Sequence, residues 1–487
     1  MNKSIIRYIL GTIIAFMGAF LLLPMSVALY YHEKVWSSYL IVSICCIIVG
    51  TINGFHKPKD TLFYLKEGCV VTGLSWILMS AIGALPLFIS NEIPNYIDAL
   101  FETVSGFTTT GASILSDVES LSHAALFWRS ATHLVGGMGV LVFLLAVIPL
   151  SGGSNINLMR AESPGPSVGK LMPKIRHTAR ILYVIYLGMT LIEFALLVFG
   201  GMSFFDAINT AMATAGTGGF GIYNDSITSF TPYCQWVITI FMAAFGINFN
   251  FYYLLLFGLG KEAFKMEEVK YYIAMLTAST VVITINIFKY CNGLFDALTQ
   301  AAFQVSSIAT TTGFSTADFA VWPQTSRCII VLLMFVGACA GSTGGGFKVS
   351  RIVILAKNIK KELHSYIYPR SIKKLSMDDK LIAPDVIKST SIYLSTFTLV
   401  FCISVFIISF ENLDFGTSFT AVLATLNNIG PGMSLVGPTC NFGFFTPLSK
   451  IILMMDMLAG RLELYPILML FHPTLYKQFF RRSNKKI

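Results

Sequence analysis

The stretch FTTTGAS occupies residues 107–113, and ATTTGFS occupies residues 309–315 of the same chain. The pair belongs to a larger pattern, four degenerate copies of one unit: YIDALFETVSGFTTTGAS (96–113), FFDAINTAMATAGTGGFG (204–221), LFDALTQAAFQVSSIATTTGFS (294–315) and FGTSFTAVLATLNNIGPG (415–432). In this register Gly111, Gly219, Gly313 and Gly430 are equivalent, spaced by 108, 94 and 117 residues. A unit of about a hundred residues therefore repeats, and each copy is expected to hold an apolar span, a re-entrant segment and a second span. A single TTG reads as an interfacial turn, because Gly and Thr are ordinary turn residues. Four copies in register, each behind an apolar half-helix, reverse that reading. The fourth, LNNIGPG, replaces the threonines and is the most divergent.

The surroundings of the repeat are those of a membrane protein. With 487 residues, 55% hydrophobic, 12% charged and a mean hydropathy of +0.70, the chain has too little polar surface for a soluble globule. Stretches near the roughly 20 residues that a helix needs to cross a bilayer occur at 8–30, 37–53, 63–89, 128–150, 181–201, 235–258, 271–290, 328–347, 389–410 and 450–471. This predicts an all-α polytopic protein of ten spans, two leading and eight in the four repeats. The first is expected to be a true span and not a cleaved signal peptide, since LLLPMSVALYY offers no small-residue cleavage site.

Basic residues set the orientation. With the N-terminus (Lys3, Arg7) cytoplasmic, Lys57, Lys59, Lys66, the stretches Arg160 to Arg180, Lys261 to Lys270 and Lys348 to Lys388, and the tail KQFFRRSNKKI all fall inside, as do both termini. Topology and anionic headgroups account for the net charge of +9 without nucleic-acid binding. The other side collects Glu92, Asp98, Glu102, Asp117, Glu119, Asp225, Asp318, Glu411 and Asp414, an acidic mouth suited to a cation. Arg129, Arg327 and Lys450 begin second spans, where snorkelling anchors are expected. Nine scattered cysteines without CxxC imply neither a disulfide framework nor a metal site. No HExxH, GxSxG or Cys/His cluster supports catalysis, and the lone His133 reads as a packed neutral histidine.

The re-entrant segments have a physical reading. Asp98, Asp206 and Asp296 stand where short helices are expected to begin, their carboxylates capping free N–H groups at the positive end of the dipole. The thirteen residues from Asp98 to Gly111, at about 1.5 Å each, reach little more than halfway through a core of roughly 30 Å. Non-helical backbone at that depth must line a cavity or be buried in protein. Glycine lets successive carbonyls point one way, and four such strands around one axis would form a ring of oxygens able to replace a cation's hydration shell.

Two further stretches stand out. GACAGSTGGGFK (337–348) puts five glycines within ten residues of an apolar span; each costs a helix about 1 kcal/mol relative to Ala, so the helix should break there. The stretch does not fit GxxxxGK[ST], and close helix packing through small residues is the other reading. LMMDMLAGRLELYP (453–466) puts Arg461 within an apolar helix, at a cost of about 2.5 to 3.5 kcal/mol. It should face water or a partner; a structural pair with Asp456 or Glu463 is one option, although Glu463 is too close in sequence to share its face. Glu193, within another span, reads as protonated or hydrogen-bonded structure.

These motifs resemble the Trk/Ktr/HKT superfamily of cation channels and transporters, and the ten spans and length resemble the TrkH type in particular. The resemblance covers nearly the whole chain. It implies a potassium-channel-like pore of four pseudo-symmetric helix–pore loop–helix repeats, with boundaries at 1–58 for the two leading helices and 59–160, 161–262, 263–370 and 371–487 for the repeats. It implies filter residues Thr108, Thr109, Thr110 and Gly111; Gly216, Thr217, Gly218 and Gly219; Thr310, Thr311, Thr312 and Gly313; and Asn427, Asn428, Ile429 and Gly430. Glycine in all four copies goes with potassium selectivity in that family, and serine in the first with sodium passage; the residues alone give only a cation. The glycine-rich stretch resembles an intramembrane gate, here Gly337, Gly341, Ser342, Thr343, Gly344, Gly345 and Gly346, with Lys348 beyond it placed to grip the cytoplasmic surface or a partner. Arg461 is expected to stand in the conduction path as an electrostatic barrier. The resemblance further implies a homodimer on a ring of soluble, nucleotide-binding TrkA-like subunits docked on 348–388, with potassium as substrate and no cofactor in this chain, which has no soluble segment long enough for a nucleotide domain. The rival readings are a sodium-permeable member of the superfamily, and a polytopic transporter or enzyme for an organic substrate.

Overall fold

A computed structural model describes residues 2–54, 64–139, 175–371 and 374–473. It is mostly helical. The leading helices α1 (Lys3–Phe20), α2 (Leu22–Tyr30) and α3 (Trp36–Gly54) form a hairpin. Small residues let its backbones approach: a Cβ on Gly50 would meet the Ala15 nitrogen at 2.3 Å, and Ser43 Oγ donates to the Gly18 carbonyl at 2.7 Å.

Four groups follow, each a long helix, a short helix and a second helix. They are α4 (Leu65–Ile89), α5 (Tyr96–Phe107) and α6 (His123–Met138); α7 (Ile175–Phe199), α8 (Phe204–Gly216) and α9 (Pro232–Phe245), which continues as α10 (Phe249–Leu256); α11 (Glu267–Ile287), α12 (Leu294–Ala309) and α13 (Gln324–Val336), with α14 (Val349–Ile367) beyond a loop; and α15 (Pro384–Ile408), α16 (Phe415–Leu426) and α17 (Pro447–Arg461), ending in α18 (Tyr465–Leu470). Each short helix packs against both other helices of its own group. Each second helix also packs on the short helix of the next group: α6 on α8, α9 on α12, α13 on α16, and α17 back on α5. The packing therefore closes in a cycle.

The short helices begin as their caps dictate. Asn95 accepts from Ile97 N at 2.9 Å, Ser203 from Asp206 N at 3.1 Å and Asp414 from Thr417 N at 2.9 Å, while Gly293 precedes α12. Asp98, Asp206 and Asp296 are thus not the caps but residues of the first turn, still favoured by the dipole.

Among the described residues, six helices are long and apolar enough to cross a membrane: Lys3–Tyr30, Trp36–Gly54, Leu65–Ile89, Ala179–Phe199, Glu267–Tyr290 and Pro384–Glu411. The pair Pro232–Phe245 and Phe249–Leu256, bent by 92°, makes a seventh if it is one span. The other expected spans, at 128–150, 328–347 and 450–471, do not run through as helices. Each breaks at a positive-φ position: Gly139 (φ 80), Gly337 (φ 73) and the pair Glu463 and Leu464 (φ 56 and 69). The rest of the span 128–150, the residues Lys57, Lys59 and Arg160, and the tail from 474 lie outside the described residues.

Candidate functional site: a ring of glycine turns above an intramembrane loop

The four short helices end alike. The N–H groups of Thr109, Thr217, Thr311 and Asn428 reach back to the carbonyls of Gly106, Thr214, Ile308 and Thr425. Those of Thr110, Gly218, Thr312 and Ile429 reach back five residues, to Ser105, Ala213, Ser307 and Ala424, at 2.8 to 2.9 Å. This is a Schellman-type cap, which needs a left-handed residue. Thr109, Thr217, Thr311 and Asn428 supply it at φ 53, 52, 60 and 55. A β-branched threonine there is an outlier that costs of order 1 to 3 kcal/mol. Two residues on, Gly111, Gly219, Gly313 and Gly430 again have positive φ, at 80, 76, 88 and 98. Every turn thus carries two positive-φ positions, two residues apart.

The four turns then meet edge to edge. A Cβ on Gly111 would lie 2.1 Å from the Gly218 carbonyl oxygen, on Gly219 1.9 Å from that of Thr312, on Gly313 2.2 Å from that of Ile429, and on Gly430 2.8 Å from that of Thr110. Each glycine thus abuts the residue preceding the next glycine, and the fourth returns to the first. All four glycines line one cavity of about 230 Å³ on the face where the short helices begin. The sixteen residues singled out from the sequence form these turns, and all but Gly111, Gly219 and Gly313 are buried. Within the first and third turns the Thr108 and Thr110 hydroxyls pair at 2.8 Å, and those of Thr310 and Thr312 at 2.7 Å. Asn428 Nδ2 donates to Thr110 Oγ1 at 2.9 Å, tying the fourth turn to the first.

The break after α13 feeds a loop that lies directly beneath this ring. A Cβ on Gly344 would meet the Thr310 carbonyl oxygen at 2.8 Å, and one on Gly345 that of Asn427 at 2.7 Å. Gly345 N donates to Thr311 Oγ1 at 2.6 Å. The Gly341 carbonyl accepts from Phe249 N at 3.0 Å, and Cys339 N donates to the Gly246 carbonyl at 3.1 Å, so the bend between α9 and α10 cradles the loop. Glu268 holds both of its ends through one oxygen, accepting from Ala340 N at 2.6 Å and Ser350 N at 3.1 Å.

Several charged residues differ from their expected settings. Lys348 does not reach a surface: it is buried and donates to the Gly344 carbonyl, because its backbone turns back toward the loop at φ 76. Arg461 pairs with neither Asp456 nor Glu463. Its guanidinium donates to the carbonyls of Thr343 at 2.7 Å, Gly136 at 2.5 Å and Gly137 at 2.6 Å, so it reaches the loop and the end of α6 from the last turn of α17. Glu463 is taken by Arg351, which also stacks 4.0 Å over Tyr393, and Asp456 accepts from Ser404 at 2.8 Å. Nor do Arg129 and Lys450 snorkel: Arg129 is buried against Glu102 at 2.8 Å, and Lys450 against Asp98 at 2.6 Å. The carboxylates on the first short helix draw them inward. Glu102 is accordingly not part of an open acidic mouth. Glu193 is buried in α7. His133 holds Gly106 O at 2.8 Å through Nδ1 and accepts from Phe220 N at 3.2 Å through Nε2, which is the neutral tautomer expected of a packed histidine.

Sequence reading missed Glu268, Arg351 and the Glu102–Arg129 pair. A signal existed for the pair: two charges of opposite sign, each flanked by apolar helix, need one another at membrane depth.

The family model for TrkH, described as a cation transport protein, matches residues 37–291 and 289–480. The chain is 34% identical to the Trk system potassium uptake protein TrkH of Salmonella typhimurium, covering 98% of this chain and all of that one. It is 32% identical to the Trk system potassium uptake protein TrkG of Escherichia coli, covering 99% of this chain and all of that one. Among solved structures, the potassium transporter TrkH from Vibrio parahaemolyticus superposes with a TM-score of 0.87 at 30% identity, over 98% of this chain and all of that one.

Proposed function

The chain belongs to the TrkH family of cation transport proteins, a family of multi-span membrane transporters and not of enzymes, and on that premise we propose that it is a potassium-selective, channel-like uptake subunit. The observation that carries the reading is the closed cycle of Gly111, Gly219, Gly313 and Gly430, each against the backbone of the next turn. A ring of converging carbonyls is what a dehydrated monovalent cation needs. Glycine at all four positions favours potassium over the sodium-permeable alternative, and relatives of full length are named for potassium uptake.

In this reading the ten sequence spans form two leading helices and four pore repeats with the boundaries given above, both termini are cytoplasmic, and the face where the short helices begin is outermost and is the entry face. Ions pass inward down their gradient. The loop 337–346 is the gate: it lies under the ring, held there by bonds to α9, α10, Glu268, Lys348 and Arg461, and releasing those ties would open the path. Arg461, aimed at loop and α6 carbonyls, adds a positive barrier below the filter. A homodimer docked through 348–388 on TrkA-like nucleotide-binding subunits completes the assembly. Lys348 is no part of that docking surface, since its ammonium is committed to Gly344. Potassium and sodium flux through purified protein in liposomes, with and without Gly111→Ser, is the test.

A further inference from the structure

Glu102 on α5 and Arg129 on α6 make an ion pair, Nε to Oε1 at 2.8 Å, with side chains 1% and 3% exposed. Among the described residues no other ion pair has both partners below 5%. Their remaining bonds run to the strands that leave the ring. Glu102 accepts from Ser113 Oγ at 3.0 Å and from Ile114 N at 3.1 Å, on the strand just after Gly111. Arg129 donates to the Gly221 carbonyl at 3.0 Å and lies 4.1 Å over the Phe220 ring, on the strand just after Gly219. One buried pair therefore grips the first and second filter strands at their exits on the entry face.

Uncharged ties join strands as well: the first and second through Val118 N to Asn224 Oδ1 at 2.8 Å and through His133 between Gly106 O and Phe220 N, the second and third through Ile227 N to Ser315 O at 3.1 Å and Ser315 N to Ser226 Oγ at 3.2 Å, and the fourth and first through Phe442 N to Ser113 O at 2.8 Å. Nine residues before each filter glycine stand Glu102, Thr210, Gln304 and Ala421. Gln304 serves its own strand alone, donating to Ala317 O at 3.0 Å. Only the first position carries a charge, and only it is linked to a partner that reaches the neighbouring strand.

We infer that Glu102 and Arg129 are positioning residues for ion selectivity, which fix the spacing of the first two filter strands so that the carbonyls around Gly111 and Gly219 keep a cage of one size. The inference rests on the filter reading above. The pair does not touch the ion. It acts because a charge-assisted tie in a desolvated site resists displacement more than neutral bonds do, and because neither charge can be left alone there without rearrangement.

The test reads cation binding without requiring an open pore, as the rise in Tm of the full chain with added potassium or sodium. The variants are Glu102→Gln, Arg129→Met, their double and Gly111→Ser. We expect each single substitution of the pair to lower the ratio of potassium to sodium affinity about tenfold, and the double to do no more than either single, since all remove one tie. Unchanged ratios in Glu102→Gln and Arg129→Met beside a lowered ratio in Gly111→Ser would overturn the inference and leave the filter reading standing. Unchanged ratios in all, Gly111→Ser included, would overturn the filter reading itself. Additive losses in the double would overturn the shared tie. If Glu102→Gln does not fold, Glu102→Asp keeps the charge but retracts from Ser113 and Ile114; a reduced ratio supports the inference and an unaltered one overturns it.

Discussion

Gly430 stands with its Cα against the carbonyl of Thr110, so that a Cβ there would fall 2.8 Å from the oxygen. The last copy of the repeat is thereby closed onto the first, and the turn with the most divergent sequence completes the ring. The four contacts are not equally tight, and this ranks the glycines.

Gly219→Ala should be the most damaging alanine substitution in the ring and Gly430→Ala the mildest. The added carbon would meet backbone oxygen at 1.9 Å in the first case and 2.8 Å in the second, and backbone cannot swing aside as a side chain can. Both also pay about 1 kcal/mol for a side chain at positive φ. Potassium flux in liposomes, normalised to folded protein, checks the order; equal losses would mean that the ring spacing is not what limits conduction.

Lys348→Met should increase ion leak through the resting protein about tenfold, the equivalent of the 1.5 to 3 kcal/mol or so that a hydrogen bond to a charged group contributes at its lower end. Methionine preserves the apolar stem and removes only the grip on the Gly344 carbonyl. Flux without any partner protein is the readout, and a leak no greater than that of the natural chain would argue against the loop as gate.

Lys450→Met should lower unfolding stability in detergent by about 1 to 3 kcal/mol. It leaves Asp98 unpaired, but that carboxylate is 24% exposed, so the cost falls short of the 3 to 5 kcal/mol of a fully buried pair. Adding Asp98→Asn should restore much of the loss, as thermal melts of the single and double variants would reveal.

Asp414 caps α16, and hydrogen bonds from the Thr417 hydroxyl and backbone N–H hold its carboxyl below the usual aspartate range. A depressed folded pKa gives stability that is complete above the unfolded value of about 3.9 and is lost as pH falls through the lower folded value. Asp414→Ala should therefore cost about 1 kcal/mol near pH 7, with the gap to the natural chain shrinking below about pH 4. A constant gap in melts across that range would contradict the assignment.

The repeat was legible because each copy keeps an apolar short helix followed by a glycine at fixed register, and Thr109, Thr217, Thr311 and Asn428 then reach the same left-handed turn despite differing residues. The broken second helices were legible only once, at Gly337, where five glycines crowd together. Near Gly139 and Leu464 the signals are thinner, GGMG (136–139) and the charges and proline of GRLELYP (460–466), and they sit inside stretches apolar enough to read as spans; both places are also tightly packed, a Cβ on Gly136 falling 1.9 Å from the Phe107 carbonyl oxygen and one on Gly460 2.0 Å from that of Leu426. Partners of charges inside the fold were the least legible. Arg129, Lys450 and Arg461 each find theirs on another helix or loop, at sequence distances that no local pattern encodes.

Whether the glycine ring is a potassium filter is decided by the flux of potassium and sodium through the purified chain in liposomes, natural against Gly111→Ser. The serine side chain would meet the Gly218 carbonyl oxygen at 2.1 Å, where the ring has no slack. A potassium filter gives potassium flux well above sodium flux in the natural chain, with the ratio lowered by the serine. Equal passage of the two ions, or a ratio that the serine leaves unchanged, would contradict it.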